Sequence, residues 1–409
     1  MTGVQTCALP IYQLESENLF YNIPTIVRLA GELQVSALSA ALDEIVRRHE
    51  VLRTVFAAEG GVPVQVILPA LNVPLPVTDL TGLPETEREA EAHRLARDEI
   101  RTPFDLATGP LLRARLFRLT EQEHIAVLTI HHIATDGWSM GVLVAELAEL
   151  YAALSHSERG MAVAPLRSLP PQYGDYAAWQ RSTLQGAALE RQLAYWKEQL
   201  AGLPSRLELP TDRPRPAVQN ANGGTFLFRL PEELSRAIVR FNQQHGVTMF
   251  MTLLAAYQAL LSRYSGQSDI AVGSAIANRT RAELEPLIGF FVNTLVFRTR
   301  FDPAAENQPL TFRELVRRVR ETALGAYAHQ DVPFEALVDA LQPERDLSHT
   351  PLFQAAFSLQ NVPFETRELP GLRMSPVEID KGIAGFDMLL MMTETQTDIA
   401  AAWEYNSDL

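Results

Sequence analysis

The sequence predicts an α/β protein built as two lobes. Three observations point there. The chain has 409 residues, which at about 150 residues per domain means two or three core-forming units. Strand-type and helix-type apolar patterns mix in both halves, the mark of α/β layers. Between the halves, SHSERGMAVAPLRSLPP is polar, Pro-rich and without period, which places a lobe boundary at 155–172.

Each element has its own signal. YNIPTIVRLAG (21–31) reads as a strand. Ser36 is the expected cap of a helix whose Leu38, Ala41, Leu42, Ile45 and Val46 keep the 3.6-residue period. LRTVFAAEGGVPVQVIL reads as a hairpin turning at Gly60-Gly61. Residues 85–100 are charged and helical. LLRARLFRLTEQEHIAVLTIHH reads as two strands joined by a polar turn near Glu121–Glu123. A helix follows Asp136-Gly137, with Ser139 its expected cap. Helical sequence around Trp179 and Trp196 precedes an irregular segment, 209–224. In the second half GTFLFRL is a strand, and VTMFMTLLAAYQALLSRYSG is a helix apolar on nearly every side, so deeply buried. DIAVGSAIAN and FFVNTLVFRTRF are strands. Thr311 and Glu314 form a capping-box pattern for TFRELVRRVRETALGAYAH.

Composition narrows the function. At 47% hydrophobic and 21% charged, the chain is not broadly disordered. A net charge of −14 argues against non-specific nucleic-acid binding, which needs basic patches. No run of about 18 apolar residues marks a membrane span. Cys7 is the single cysteine. That excludes an intramolecular disulfide or a Cys-rich zinc module and fits a reducing, cytoplasmic compartment. Cys7 lies in MTGVQTCALPI (1–11), which lacks the basic region and apolar core of a signal peptide. It resembles the conceptual translation of a sequencing adapter and is set aside from fold reasoning. WEYNSDL (403–409) follows a strand pattern with no closing helix, which reads as a fragment of a larger polypeptide.

Chemistry concentrates in HIAVLTIHHIATDGWSM (124–140). On a strand running to residue 132, His132 shares a face with Ile130 and Leu128, and His131 with Thr129 and Val127. Both cannot line one pocket: one acts, and the other is buried and hydrogen-bonded. The helix that follows offers unpaired N–H groups and partial positive charge. The Gly137 amide has no side chain in its way and can meet a developing oxyanion, while a histidine at the strand end can take a proton or orient a nucleophile. These parts suit acyl transfer. No internal Ser or Cys nucleophile is implied, so a second substrate attacks directly. The competing reading is a core histidine pair followed by a capping aspartate.

HHIATDGWS (131–139) resembles the active-site motif of the condensation domains of nonribosomal peptide synthetases, acyltransferases of the superfamily that includes chloramphenicol acetyltransferase. RHEVLRTVF (48–56), YGDYAAW (173–179), IGFFVNTLVFR (288–298), HQDVPFE (329–335) and RDLSHTPL (345–352) resemble five further motifs of that family, in order. The family's first motif and its final helix are missing.

The resemblance implies two chloramphenicol acetyltransferase-like lobes in a V-shaped pseudo-dimer, each a mixed sheet flanked by helices. They would run over 12–170 and 171–409, with a tunnel between them, a floor loop near 277–287 and a latch within 361–385. It implies amide formation between an upstream aminoacyl or peptidyl thioester and the amine of a downstream aminoacyl thioester, with two L-configured units as the expected subtype. His132 and Gly137 would be catalytic. His131, Asp136, Arg48, Arg53 and Arg279 would support the site, Asp136 pairing with an arginine, Arg279 or Arg48 before Arg53. Trp138, Ser139, Asn293, Thr294 and Ser358 would face the tunnel and substrate. The domain would bind no cofactor or metal itself. Its substrates would ride on phosphopantetheine arms of upstream and downstream carrier domains, with an adenylation domain adjacent, and no nucleic acid or membrane as partner. A recruitment module with a vestigial site, or a stand-alone acyltransferase using coenzyme A, are the alternatives from other classes.

Overall fold

The computed structural model describes residues 19–60, 62–157, 168–169, 171–302, 309–343, 346–360, 366–369, 371–377 and 382–409. The 1–11 segment and much of the expected 155–172 boundary lie outside these. In chain order the elements are β1 (Asn22–Gly31), α1 (Val35–Arg48), β2 (Thr54–Glu59), β3 (Val62–Ile67), β4 (Val77–Asp79), α2 (Glu85–Ile100), β5 (Leu112–Arg118), β6 (Glu123–His131), α3 (Gly137–Ser157), α4 (Tyr173–Thr183) and α5 (Ala187–Gln199). There follow β7 (Gly223–Leu230), α6 (Glu232–His245), α7 (Met249–Ser265), β8 (Asp269–Ile276), β9 (Asn293–Arg300), α8 (Phe312–Ala328), α9 (Phe334–Leu341), β10 (Ala355–Gln360), β11 (Arg367–Leu369), β12 (Leu372–Pro376), β13 (Met388–Glu394) and β14 (Ile399–Asn406).

These elements form two compact units. The first draws its described residues from Met1–Thr183, Arg279–Phe291 and Phe364–Lys381; the second from Leu184–Asn278, Val292–Pro363 and Gly382–Leu409.

The first unit is built on a six-stranded sheet in the order β11-β12-β1-β6-β5-β4. Its pairs are antiparallel except β4 with β5. β6 is buried at every position after Glu123, as its unbroken apolar run requires of a strand with partners on both sides. Helix α1 buries the expected stripe of Leu38, Ala41, Leu42, Ile45 and Val46 and packs on α3. Ser36 is not its cap. The helix starts at Val35, so Ser36 is already inside it, and Gln34 holds the cap position in extended conformation without a side-chain bond. Gly137–Ser155 of α3 is long and apolar enough to cross a membrane, but half of it is buried in the unit, as in a core helix. Strand β12 lies against β1 from Val27↔Pro376 to Gly31↔Leu372. Gly31 is required there, because its φ is +129° and a Cβ would stand 2.2 Å from the Gly371 carbonyl oxygen.

The second unit carries a six-stranded mixed sheet in the order β7-β14-β13-β10-β8-β9, parallel at β10 with β13 and β10 with β8. Helix α7, expected to be buried on nearly every side, buries Met251, Leu254, Ala255, Tyr257 and Leu261 but leaves Leu260 and Tyr264 exposed, so only one side of it enters the core. Thr248 caps it, accepting from the Met251 N–H at 3.3 Å, and Gly266 ends it in left-handed conformation. Thr311 caps α8 as its pattern predicts, accepting from the Glu314 N–H at 3.2 Å. Arg298 of β9 forms a two-pronged pair with Asp269 of β8, at 2.8 and 2.7 Å, and donates to the carbonyls of Gln199 and Ala201. This buried guanidinium ties two strands to the end of α5.

Candidate active site

The end of β6 is fixed from both sides. His131 is in register with Asn22 of β1, and its N–H donates to the Leu111 carbonyl at 3.0 Å. The strand stops at His131, one residue earlier than its apolar pattern suggests, and His132 opens a 3-10 turn, His132–Ala134. The turn is closed by Ile133 N–H donating to His131 Nδ1 at 3.2 Å and Thr135 N–H to the His132 carbonyl at 3.2 Å. Strand alternation therefore does not govern His132, and the turn itself separates the two imidazoles. His131 is buried, stacked on Tyr21 and edge-on to Phe104, with centroids 5.8 Å away in each case. Burial, then the neighbouring His132 and Arg113, pull its pKa down to about 3. It is therefore neutral near pH 7.

His132 is half-buried. Its Nδ1 lies 2.7 Å from the Thr135 carbonyl oxygen. A carbonyl only accepts, so Nδ1 carries the proton and the lone pair resides on Nε2. The Phe290 ring covers the imidazole at a centroid distance of 4.6 Å. In its neutral form, an imidazole held this way has its basic nitrogen turned away from that carbonyl and can take a proton from an ammonium or orient an amine.

Asp136 is the cap of α3. Its Oδ1 accepts from the Ser139 N–H at 2.8 Å and from Ser139 Oγ at 2.7 Å, the position-three contact of an N-cap. Oδ2 accepts from the Phe291 N–H at 3.0 Å. Arg279 reaches Asp136 Oδ1 at 3.3 Å and Ser139 Oγ at 2.7 Å. It also donates to the Leu284 carbonyl and, at 2.8 Å, to that of Leu287. Both ionic side chains are almost wholly buried, and burial pulls the Arg279 pKa down. Gly137, next in the chain, is exposed, and a Cβ there would meet nothing within 4 Å. The place a side chain would take in the first turn of α3 is therefore open.

The chain matches the family model described as "Condensation domain" over residues 1–409. It belongs to the condensation-domain family. Domains of this family in peptide synthetases are amide-forming acyltransferases. Among relatives, a linear gramicidin synthase protein of Brevibacillus parabrevis is 50% identical over 400 residues, 97% of this chain but 8% of that protein. Phosphinothricin tripeptide synthetase PhsC of Streptomyces viridochromogenes is 42% identical over 401 residues, 97% of this chain and 36% of that one. The condensation domain thus spans under a tenth of the length of the first of these relatives. Among solved structures, the X-domain from teicoplanin biosynthesis superposes with a TM-score of 0.87 at 30% identity, covering all of this chain and 90% of that one. The first condensation domain of the calcium-dependent antibiotic synthetase gives 0.79 at 25%, covering all of this chain and 91% of that one. The mixed α/β units are thus those of the chloramphenicol acetyltransferase-like fold.

Of the three arginines weighed for Asp136, Arg279 is the one beside it. Arg48 instead donates to Glu146 Oε1 at 3.0 Å, and Arg53 donates to Glu50 at 3.3 Å and to the Leu68 carbonyl. Ser139 was expected to face substrate and to cap α3; it does neither. It is fully buried, with its hydroxyl between Asp136, Arg279 and Gly289. Trp138 is exposed, and its indole N–H donates to the Glu285 carbonyl at 2.9 Å. In the second unit, the buried Asn293 amide donates to the carbonyls of Gln330 and Val332 and accepts from the Thr294 and Phe334 N–H groups. That side chain ties down the turn before α9. Thr294 and Ser358 are half-buried.

Sequence reasoning missed three contributors. Glu146 joins Arg48 to His49, whose Nε2 lies 2.8 Å from it. Tyr173 donates its hydroxyl to the Phe290 carbonyl at 2.7 Å. Phe290 is the third. Tyr173 and Phe290 lie in the YGDYAAW and IGFFVNTLVFR stretches but are not singled out within them; Glu146 leaves a signal of its own, falling on the same helical face as Leu143, Leu147 and Leu150, where an acidic residue needs a buried basic partner.

Proposed function

We propose that this condensation domain joins two carrier-bound substrates by an amide bond, with His132 as the group that acts on the attacking amine. The reading rests on one observation: His132 Nδ1 lies 2.7 Å from the Thr135 carbonyl oxygen, which makes Nε2 the basic nitrogen of the neutral ring. The α-amine of the downstream aminoacyl thioester attacks the upstream thioester carbonyl. The C–N bond forms, the amine proton passes to Nε2 or is held there, and the upstream carrier's phosphopantetheine thiolate leaves and takes up a proton. The Gly137 amide, in the first turn at the positive end of α3 and with no side chain beside it, suits the developing oxyanion. A free α-amine has a pKa of roughly 8, so positioning the amine counts as much as deprotonating it.

HHIATDGWS with IGFFVNTLVFR supports condensation of two L-configured units. Thr294 and Ser358 stand as substrate contacts, and the cytoplasm as the setting. The partners are an upstream and a downstream carrier domain and a neighbouring adenylation domain, in keeping with the multidomain length of the relatives.

The test is a single-turnover assay with both carriers loaded. His132→Ala is expected to slow dipeptide formation by at least about 100-fold with an unchanged melting temperature; normal turnover in that variant would overturn the assignment. A second reading draws on a similar structure, a complex of the teicoplanin X-domain with OxyB at 30% identity: a recruitment module. It predicts no dipeptide from the wild-type chain in the same assay.

A further inference from the structure

We propose that Phe290 is a positioning residue for His132, and that the peptide 288–291 is a fixed mount for its ring. The inference rests on the role given to His132 above and adds what holds that imidazole in place.

The His132 Nδ1 bonds the Thr135 carbonyl. A bond along one axis sets the tautomer but does not by itself stop the ring from swinging about that axis. The Phe290 ring, inclined at 47° with centroids 4.6 Å apart, blocks that swing on one face. A contact of this kind steers only if the phenyl ring is itself held. Phe290 is 8% exposed, and the backbone around it is caught residue by residue. The Ile288 N–H donates to His49 Nδ1 at 3.4 Å, the Gly289 N–H to Ser139 Oγ at 3.1 Å, and the Phe291 N–H to Asp136 Oδ2 at 3.0 Å. The Phe290 carbonyl accepts from the Tyr173 hydroxyl at 2.7 Å. Gly289 has no room for a side chain, since a Cβ would lie 2.2 Å from Tyr173 Cδ2.

The arrangement also gives the buried Asp136 a route to the chemistry. Its carboxylate holds the Phe291 N–H, Phe291 follows Phe290, and Phe290 covers His132. Asp136 thereby acts on the imidazole through the mount.

The experiment compares Phe290→Ala, Phe290→Leu and Phe290→Tyr in the full chain, in the wild-type and His132→Ala backgrounds, using two loaded carrier domains. Phe290→Ala and Phe290→Leu are expected to lower kcat about tenfold or more, with KM for each loaded carrier unchanged, as small misplacements of a reacting group do. Phe290→Tyr, which keeps the ring, recovers most of the loss. In the His132→Ala background Phe290→Ala costs nothing further. NMR relaxation of the His132 ring shows the imidazole gaining motion in Phe290→Ala, while the Nδ1–H tautomer set by Thr135 persists. An equal loss in both backgrounds, or wild-type kcat in Phe290→Ala, overturns the proposal while leaving the role of His132 intact. Full activity in His132→Ala alone overturns both.

Discussion

Arg279 bonds Ser139 more closely than it bonds Asp136: Nη2 lies 2.7 Å from the serine oxygen and 3.3 Å from the carboxylate. The ion pair is therefore completed through a hydroxyl, which also takes the Gly289 N–H. Removing one member of a buried pair typically costs about 3–5 kcal/mol, and leaving buried donors without an acceptor about 1–3 kcal/mol. Asp136→Ala should fall in the first range and Ser139→Ala in the second, measured by urea denaturation. Wild-type stability in Ser139→Ala would contradict the relay.

Asp136→Ala confounds chemistry with folding, so two glycines offer a cleaner contrast. Gly289→Ala should be strongly destabilised, because its methyl runs into Tyr173. Gly137→Ala should melt like the wild type, since its methyl enters open space, yet form dipeptide more slowly because the methyl stands on the residue whose amide is proposed to meet the oxyanion. Equal rates in Gly137→Ala and wild type would remove that amide from the mechanism.

His131 makes stability depend on acidity. Its pKa is about 3 when folded and roughly 6.5 in an unfolded chain. As the pH falls from 6.5 towards 3, the unfolded state gains a proton that the folded state refuses. The stability His131 contributes is complete above 6.5 and is lost across that window. In His131→Asn, which cannot titrate, the slope of stability against pH between 6.5 and 4 should be shallower by about one proton.

Glu335 works in the opposite sense. Burial, with Asp339 adding to it, raises its pKa to about 7, and its Oε2 is buried without a hydrogen-bond partner among the described residues. The folded state holds this proton where the unfolded state has lost it. Its contribution is complete below about 4.3 and is lost as the pH rises through 7. Glu335→Gln should therefore gain melting temperature over the wild type from pH 5 to pH 8, and a constant difference would refute the buried, protonated carboxyl.

Much of the fold is legible because period and punctuation agree: α1 shows its apolar stripe, α8 its Thr311 cap, and β6 its unbroken apolar run. The end of β6 is not legible in the sequence, because His132 is as compatible with a strand as with a tight turn, and the deciding bonds are backbone contacts of Ile133 and Thr135. The cap of α3 was assigned to Ser139 although the helix begins two residues before it. That Arg279 is the partner of Asp136 could be narrowed to a few arginines and no further, since 143 residues separate the two. Phe290 lies in the IGFFVNTLVFR motif, but nothing there distinguishes it from core, because a phenylalanine in an apolar run packs like its neighbours.

The pairing of β1 with β12 has a consequence for how the chain is made. Gly31 meets Leu372, so one edge of β1 stays bare on the ribosome until more than three hundred further residues have been translated. At 5–20 residues per second that is roughly 20–70 s. An uncovered strand edge is a template for wrong pairing, so nascent-chain protection, by chaperones or by slow neighbours, matters more for this amino-terminal sheet than its position first in the sequence implies.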